Sequence, residues 1–162
     1  MSSRVATIRD LITAAIEARQ LAATGGFCEP FEVKKTWFLA EDYENLFDES
    51  TQPAGIVWIC ARPALLTNLV RASGTTAVEE ELTVHVTVIF PASEQTETEI
   101  QTHVQLTEEI TDTIRKVVTT NGYGFVKAEP AHDDYGTPYL FVNMEKRSFF
   151  TSIEFKFINH IN

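Results

Sequence analysis

The sequence predicts a single α+β domain over residues 1–162, with a mainly antiparallel sheet of about five strands and two helices packed on one face. Three observations predict it. Glu81–Phe90 alternates: Leu82, Val84, Val86, Val88 and Phe90 fall on one face, Glu81, Thr83, His85 and Thr87 on the other, and Ile89 alone breaks the pattern. A period of two over that length is a strand with one buried face, roughly 33 Å long. Near the end of the chain Phe149, Thr151, Ile153, Phe155 and Phe157 alternate in the same way, and the two strands are expected to pair antiparallel. Finally, strands come in runs between two helical patterns, without regular βαβ alternation, which favours α+β.

The elements follow in order. Val5, Ile8, Leu11, Ile12, Ala15, Ile16 and Arg19 give the spacing of an amphipathic helix, capped by Ser2 or Ser3 and running to about Ala23. Gly25 or Gly26 is expected in the left-handed conformation beyond its last turn. Phe31, Val33, Lys35, Trp37 and Leu39 alternate as a strand. Ala40–Pro53 is acidic and polar. Gly55–Ala61 is a continuous apolar run between Pro53 and Pro63, the signature of a strand covered on both faces. Arg62–Ala77 reads as a long irregular loop. After the central strand, Thr96 with Glu99 fits a capping box, and Thr107 offers a second start. Ile100, Val104, Ile110, Ile114, Val117 and Val118 keep helical spacing to near Thr120, and Asn121-Gly122 closes the helix. Gly124–Ala128 is a short strand, Pro130–Pro138 turn chemistry, Tyr139–Asn143 a strand and Glu145–Ser148 a charged turn. The sheet face away from the helices is expected to be open to water or to a partner.

Composition bounds the function. Apolar residues make up 44% and charged residues 22%, ordinary for a globular protein. A net charge of −10 argues against a protein that grips nucleic acid through phosphates, and against an anionic membrane surface. The first apolar segment carries Arg4, Arg9, Asp10, Glu17 and Arg19, so no signal peptide is expected, and no run approaches a membrane span. The chain is expected to be made in, and to stay in, a cytoplasm. Cys28 and Cys60 form no Cys-x-x-Cys pair, and no disulfide between them is expected.

No constellation reads as a catalytic or metal site, and no cofactor is expected. His132-Asp133-Asp134, with His160 or His103, supplies metal-ligand types, but its setting of Pro and Gly reads as a solvated turn. His85 lies on the polar face of the central strand and reads as an exposed or interface histidine. Glu79-Glu80-Glu81 leads into that strand as a solvated edge, or faces a basic patch on a neighbouring subunit. Arg62 and Arg71 stand in the long loop of a chain with 13 basic residues. With Asp42 and Glu44 of the acidic segment they are the candidates for subunit contacts.

The chain resembles the tail terminators of tailed bacteriophages, also called tail-completion or neck proteins. The residues that carry this are the N-terminal helix, the acidic Glu41-Asp42-Tyr43-Glu44-Asn45-Leu46, the apolar strand Ile56-Val57-Trp58-Ile59-Cys60, the lone arginine of Arg71-Ala72-Ser73, the long alternating strand, the helix Glu108–Val118 and the closing aromatic strand Phe150-Thr151-Ser152-Ile153-Glu154-Phe155. The resemblance implies a structural virion subunit and no enzyme. It implies a homo-oligomeric ring, commonly of six (a hexamer), that caps the tail tube protein and meets the head–tail connector protein. Genomic DNA would pass through its lumen without specific binding. It implies assembly in the host cytoplasm, a place in the virion neck, and no membrane. Arg62–Ala77 and Ala128–Pro138 would reach neighbouring subunits. The alternative is a small cytoplasmic α+β enzyme or ligand-binding domain with a pocket near His85, His132 and Asp134. A third reading is an adaptor that dimerises through a sheet edge.

Overall fold

The computed structural model describes residues 4–35, 55–61, 65–72, 75–91, 96–130, 139–140 and 148–161. The elements are α1 (Arg4–Gln20), β1 (Glu32–Lys34), β2 (Ile56–Ala61), β3 (Leu65–Ala72), β4 (Thr75–Pro91), α2 (Glu97–Thr120), β5 (Gly124–Pro130), β6 (Tyr139–Leu140) and β7 (Ser148–Ile161). The sheet runs β1-β2-β4-β7-β5, with β3 added to β4 and β6 to β7. Among the described residues only β1–β2 is parallel. The fold is therefore α+β with a mainly antiparallel sheet, as the sequence predicts.

The central pair is the expected one. β4 and β7 stay in register from Val78 opposite Ile161 to Pro91 opposite Ser148, with Val86 facing Ile153. Alternation sends Leu82, Val84, Val86, Val88 and Phe90 of β4, and Ile153, Phe155 and Phe157 of β7, to one side, where they form one cluster with Val57 and Ile59 of β2. Ile8, Ile12 and Ile16 of α1 and Leu106, Ile110, Ile114 and Val118 of α2 join that cluster, so both helices cover the same face. Each such side chain removed from water contributes about 1.5–3 kcal/mol.

The helix ends follow their residues. Thr96 caps α2: its hydroxyl accepts from the Glu99 amide, and the Glu99 carboxylate accepts from the Thr96 amide, both at 3.3 Å. α1 stops at Gln20, short of Ala23, because Ala22 bonds back to Arg19 in a tighter turn, at 3.3 Å. Gly25 takes φ +74°, the left-handed turn expected of it or of Gly26.

Three expectations are corrected. Arg62–Ala77 is not a loop, because β3 occupies Leu65–Ala72 and pairs with the first half of β4. A register shift between Leu66 and Asn68 breaks the two-residue period, which hides this strand in the sequence. Glu79-Glu80-Glu81 consequently lies inside β4, and Glu80 faces inward, only 6% exposed. The sheet's outer face is not uniformly open either. Ile56, Cys60 and Ile89 on it are buried and Trp58 is 1% exposed, so β2 is covered on both faces, as its apolar run predicts. At the entry to β2, a Cβ on Gly55 would come within 2.4 Å of the Phe90 ring edge, which would have to move for any other residue. The alternating stretch at Phe31–Leu39 is described as a strand only at Glu32–Lys34, its later residues lying outside the described range. No helix among the described residues is long and apolar enough to cross a membrane.

Candidate functional site

Of the expected interface residues the structure places one. Arg71 stands in β3 opposite Thr76, one pair from the end of the hairpin at Ala72 and Thr75. Arg62, Asp42 and Glu44 lie outside the described residues, as do His132, Asp133 and Asp134. Residues 35–55, which include the acidic segment, connect the parallel strands β1 and β2, a pairing that needs a crossover of a dozen or more residues. Among the described residues no three His, Cys, Asp or Glu side chains are grouped to hold a metal.

Chemistry-bearing side chains do gather on the outer face of the β4–β7–β5 region. The same alternation that buries Val84 and Val86 turns Glu81, Thr83, His85 and Thr87 outward, and turns Ser152, Glu154 and Lys156 of β7 outward beside them. Register then fixes the partners. Thr87 and Ser152 hydroxyls meet at 3.1 Å. His85 Nε2 lies 3.0 Å from Glu154 Oε2, an ion pair when the ring is protonated. Lys156 Nζ sits 3.3 Å from Glu154 and 3.8 Å from Glu81. Glu154 beside it, and then Glu81 and Glu129, hold the ammonium above its ordinary pKa. β5 adds the pair Lys127 Nζ–Glu129 Oε2 at 2.7 Å. Here like charges stand opposite each other, Lys127 across from Lys156 and Glu129 across from Glu154. Facing pairs of one sign are unfavourable, and the neighbouring carboxylates and ammoniums offset them.

Cys60 of β2 stands opposite His85, so the row Cys60, His85, Glu154 crosses three adjacent strands. Those are the residue types of a thiol–imidazole–carboxylate arrangement. Within this row the imidazole Nε2 lies 3.0 Å from the Glu154 carboxylate. The arrangement is suited to holding a charged surface. His85 is half-buried within it, where the sequence suggested an exposed or interface residue.

The helical layer has a second polar centre, which sequence reading took as an ordinary member of the α1 stripe. Arg19 donates through Nε to Gly25 O at 3.1 Å and through Nη1 to Glu109 O at 3.1 Å and Thr113 Oγ1 at 2.8 Å. Its guanidinium also lies 3.8 Å from the Glu109 carboxylate and 4.5 Å from the centre of the Phe27 ring. Glu109 further accepts from the Cys28 amide at 3.1 Å. The signal in the sequence was a cation in the last apolar slot of a helix. Beside Arg19 a cleft of about 590 Å³ runs between α1 and α2, lined by Ala15, Val117, Lys116 and Asn121. Several of its polar groups are engaged within the chain: Asp112 with Arg115 at 3.0 Å, Thr120 with Lys116 O at 2.7 Å and Asn121 with Val117 O at 2.8 Å. Such a cleft offers a ligand few groups to hold it.

His103 is the last titratable group in play. It is of a metal-ligand type and is buried on α2, with Nε2 2.7 Å from Thr151 Oγ1 of β7. Comparison with known proteins finds no protein-family model that matches this chain and no curated protein that is similar to it.

Proposed function

We propose that this chain is a structural subunit of a tailed bacteriophage, a tail terminator or neck protein that forms a ring, six-fold in our reading, between tail tube and head connector. The sequence resemblance supplies the reading. The observation that supports it best is the sidedness of the sheet. Both helices cover one face, while the other carries the self-neutralising row of His85, Glu154, Lys156, Glu81, Lys127 and Glu129. A surface of interspersed charge fits a polar, electrostatically specified contact with another subunit. β4 also runs 17 residues and continues into the β3 hairpin, which lengthens the sheet available to neighbours.

The alternative, a small enzyme or ligand binder, draws its support from His85 beside Glu154. Proteomics and imaging of purified virions separate the two. The neck reading expects the chain in the virion at ring stoichiometry, and tails of irregular length when its gene is interrupted. Finished, infectious particles that lack the chain would end that reading. A monomer isolated with a stoichiometric small molecule would favour the alternative. A free monomer alone decides nothing, because ordering subunits into a ring has a cost that the tail itself can offset.

A further inference from the structure

We propose that the outer face of β4, β7 and β5 docks a second copy of this chain, face to face about a two-fold axis. Register arranges that face in two rows running across the strands. Lys127, Lys156 and Thr83 stand opposite one another on the three strands. Two residues along, Glu129, Glu154 and His85 do the same. One row therefore carries two cations and the next carries two anions, with about 7 Å of strand between them. The charges are open to a partner: the Lys127 side chain is 41% exposed and Glu129 43%, with Lys156 at 26% and Glu154 at 20%.

Such a pattern is complementary to itself. A second copy rotated by half a turn, about an axis lying between the rows and across the strands, sets its anion row over the cation row of the first. Lys127 then meets Glu129 of the second copy, Lys156 meets Glu154, and symmetry repeats each contact. Stacked sheets lie about 10 Å apart, within the combined reach of a lysine and a glutamate side chain. Each lysine is already paired along its own strand, Lys127 with Glu129 at 2.7 Å and Lys156 with Glu154 at 3.3 Å. The second copy gives each charge a further opposite neighbour, which offsets the like charge standing across from it on the adjacent strand.

The face suits this contact better than the edge beside it. β5 ends the order of the sheet, but its register shifts between Phe125 and Lys127 and it closes on Pro130. Bulge and proline both discourage the addition of a strand. The net charge of −10 on each copy opposes pairing, yet physiological salt screens charges more than about 8 Å apart and leaves contacting pairs in force. Solvated ion pairs contribute little each, so the dimer is weak, with a Kd on the order of 0.1 mM. A two-fold contact closes at two copies, which sets it apart from the head-to-tail contact that a ring needs. The pairing rests on the reading of this face as a subunit contact, and the neck assignment does not enter it.

Sedimentation of the purified full chain, at about 0.5 mM and physiological salt, should show monomer in equilibrium with dimer. Lys127→Glu and Glu129→Lys should each weaken the dimer by about tenfold or more, since every reversal turns two attractions into repulsions. Mixed one to one, the two variants should pair with each other as well as the parent pairs with itself, because each supplies the sign that the other's row lacks. Net charge alone predicts something different: the first reversal would weaken association and the second would strengthen it. A parent that stays monomeric overturns the proposal. So does a dimer that both reversals leave intact, which would place the contact on another surface, or a mixture that fails to pair. The neck assignment is tested on virions, so a monomer here leaves it standing, and virions without the chain leave the dimer standing.

Discussion

At the scale of single residues, what matters is which side of a strand a side chain takes. Val86 and His85 are neighbours in β4, yet Val86 is fully buried against Ile153 and the helices while His85 faces outward to Glu154. The alternation of the sequence specified both faces before any contact was known. Val86→Asp turns that into a measurement. The new carboxylate would sit within the cluster of Ile8, Val84, Ile110 and Phe155, with no cation among the residues of that cluster. An uncompensated buried charge costs about 3–5 kcal/mol, so chemical denaturation should show a loss of that order. A variant that unfolds at the same denaturant concentration as the parent would mean the inward face has been misassigned. His103 was not legible in the same way. Its slot in α2 is set by helical period, but its partner Thr151 lies 48 residues away, and only the folded register brings the two together.

At the scale of elements, local chemistry was readable and pairing was readable only where the period was unbroken. Thr96 and Glu99 announced the start of α2, and both hydrogen bonds of the capping box are formed. Thr96→Ala should cost about 1 kcal/mol, measured as a shift in the denaturation midpoint without a change in slope. A neutral result would assign the helix start to the alternative at Thr107. The β4–β7 pair was legible because both strands alternate over their whole inner length. β3 was not, since the register shift between Leu66 and Asn68 breaks its two-residue period. The parallel pairing of β1 with β2 was also hidden. A three-residue strand leaves no periodic signal, and its register with Ile56, Val57 and Trp58 is a tertiary fact. Of the proposed interface, sequence could nominate Arg71 but not its position in a hairpin. It could not foresee the charged row on β4, β7 and β5, which exists only because three strands separated in sequence lie side by side.

At the scale of the whole molecule the governing quantity is charge. A subunit of −10 gives a ring of six about −60, but at physiological salt a charge acts over a Debye length of only about 8 Å. In a neck ring, therefore, only carboxylates at the wall of the bore could act on passing DNA. The acidic stretches Glu79–Glu81 and Glu94–Glu99 are the candidates for that wall in the sequence, and the structure thins both sets. Glu80 is buried facing the helices, Glu81 is shared with Lys156, and Glu99 is committed to the cap of α2. Glu97 remains exposed at the start of α2, where Gln101 donates to it at 3.2 Å. Repulsion of DNA would then come from charge spread over the subunit and not from one acidic row. Each phosphate neutralised by Lys or Arg adds affinity that falls steeply with salt, and here the exposed ammoniums of Lys127 and Lys156 already face Glu129, Glu154 and Glu81. The protein should accordingly leave duplex DNA unretarded in a gel even near 50 mM salt, where non-specific phosphate binding is strong. Retardation that weakens linearly in log–log salt would show that basic groups grip the backbone. In an assembled ring, a basic bore wall, or carboxylates confined to the outer rim, would likewise remove charge as the reason DNA passes without sticking.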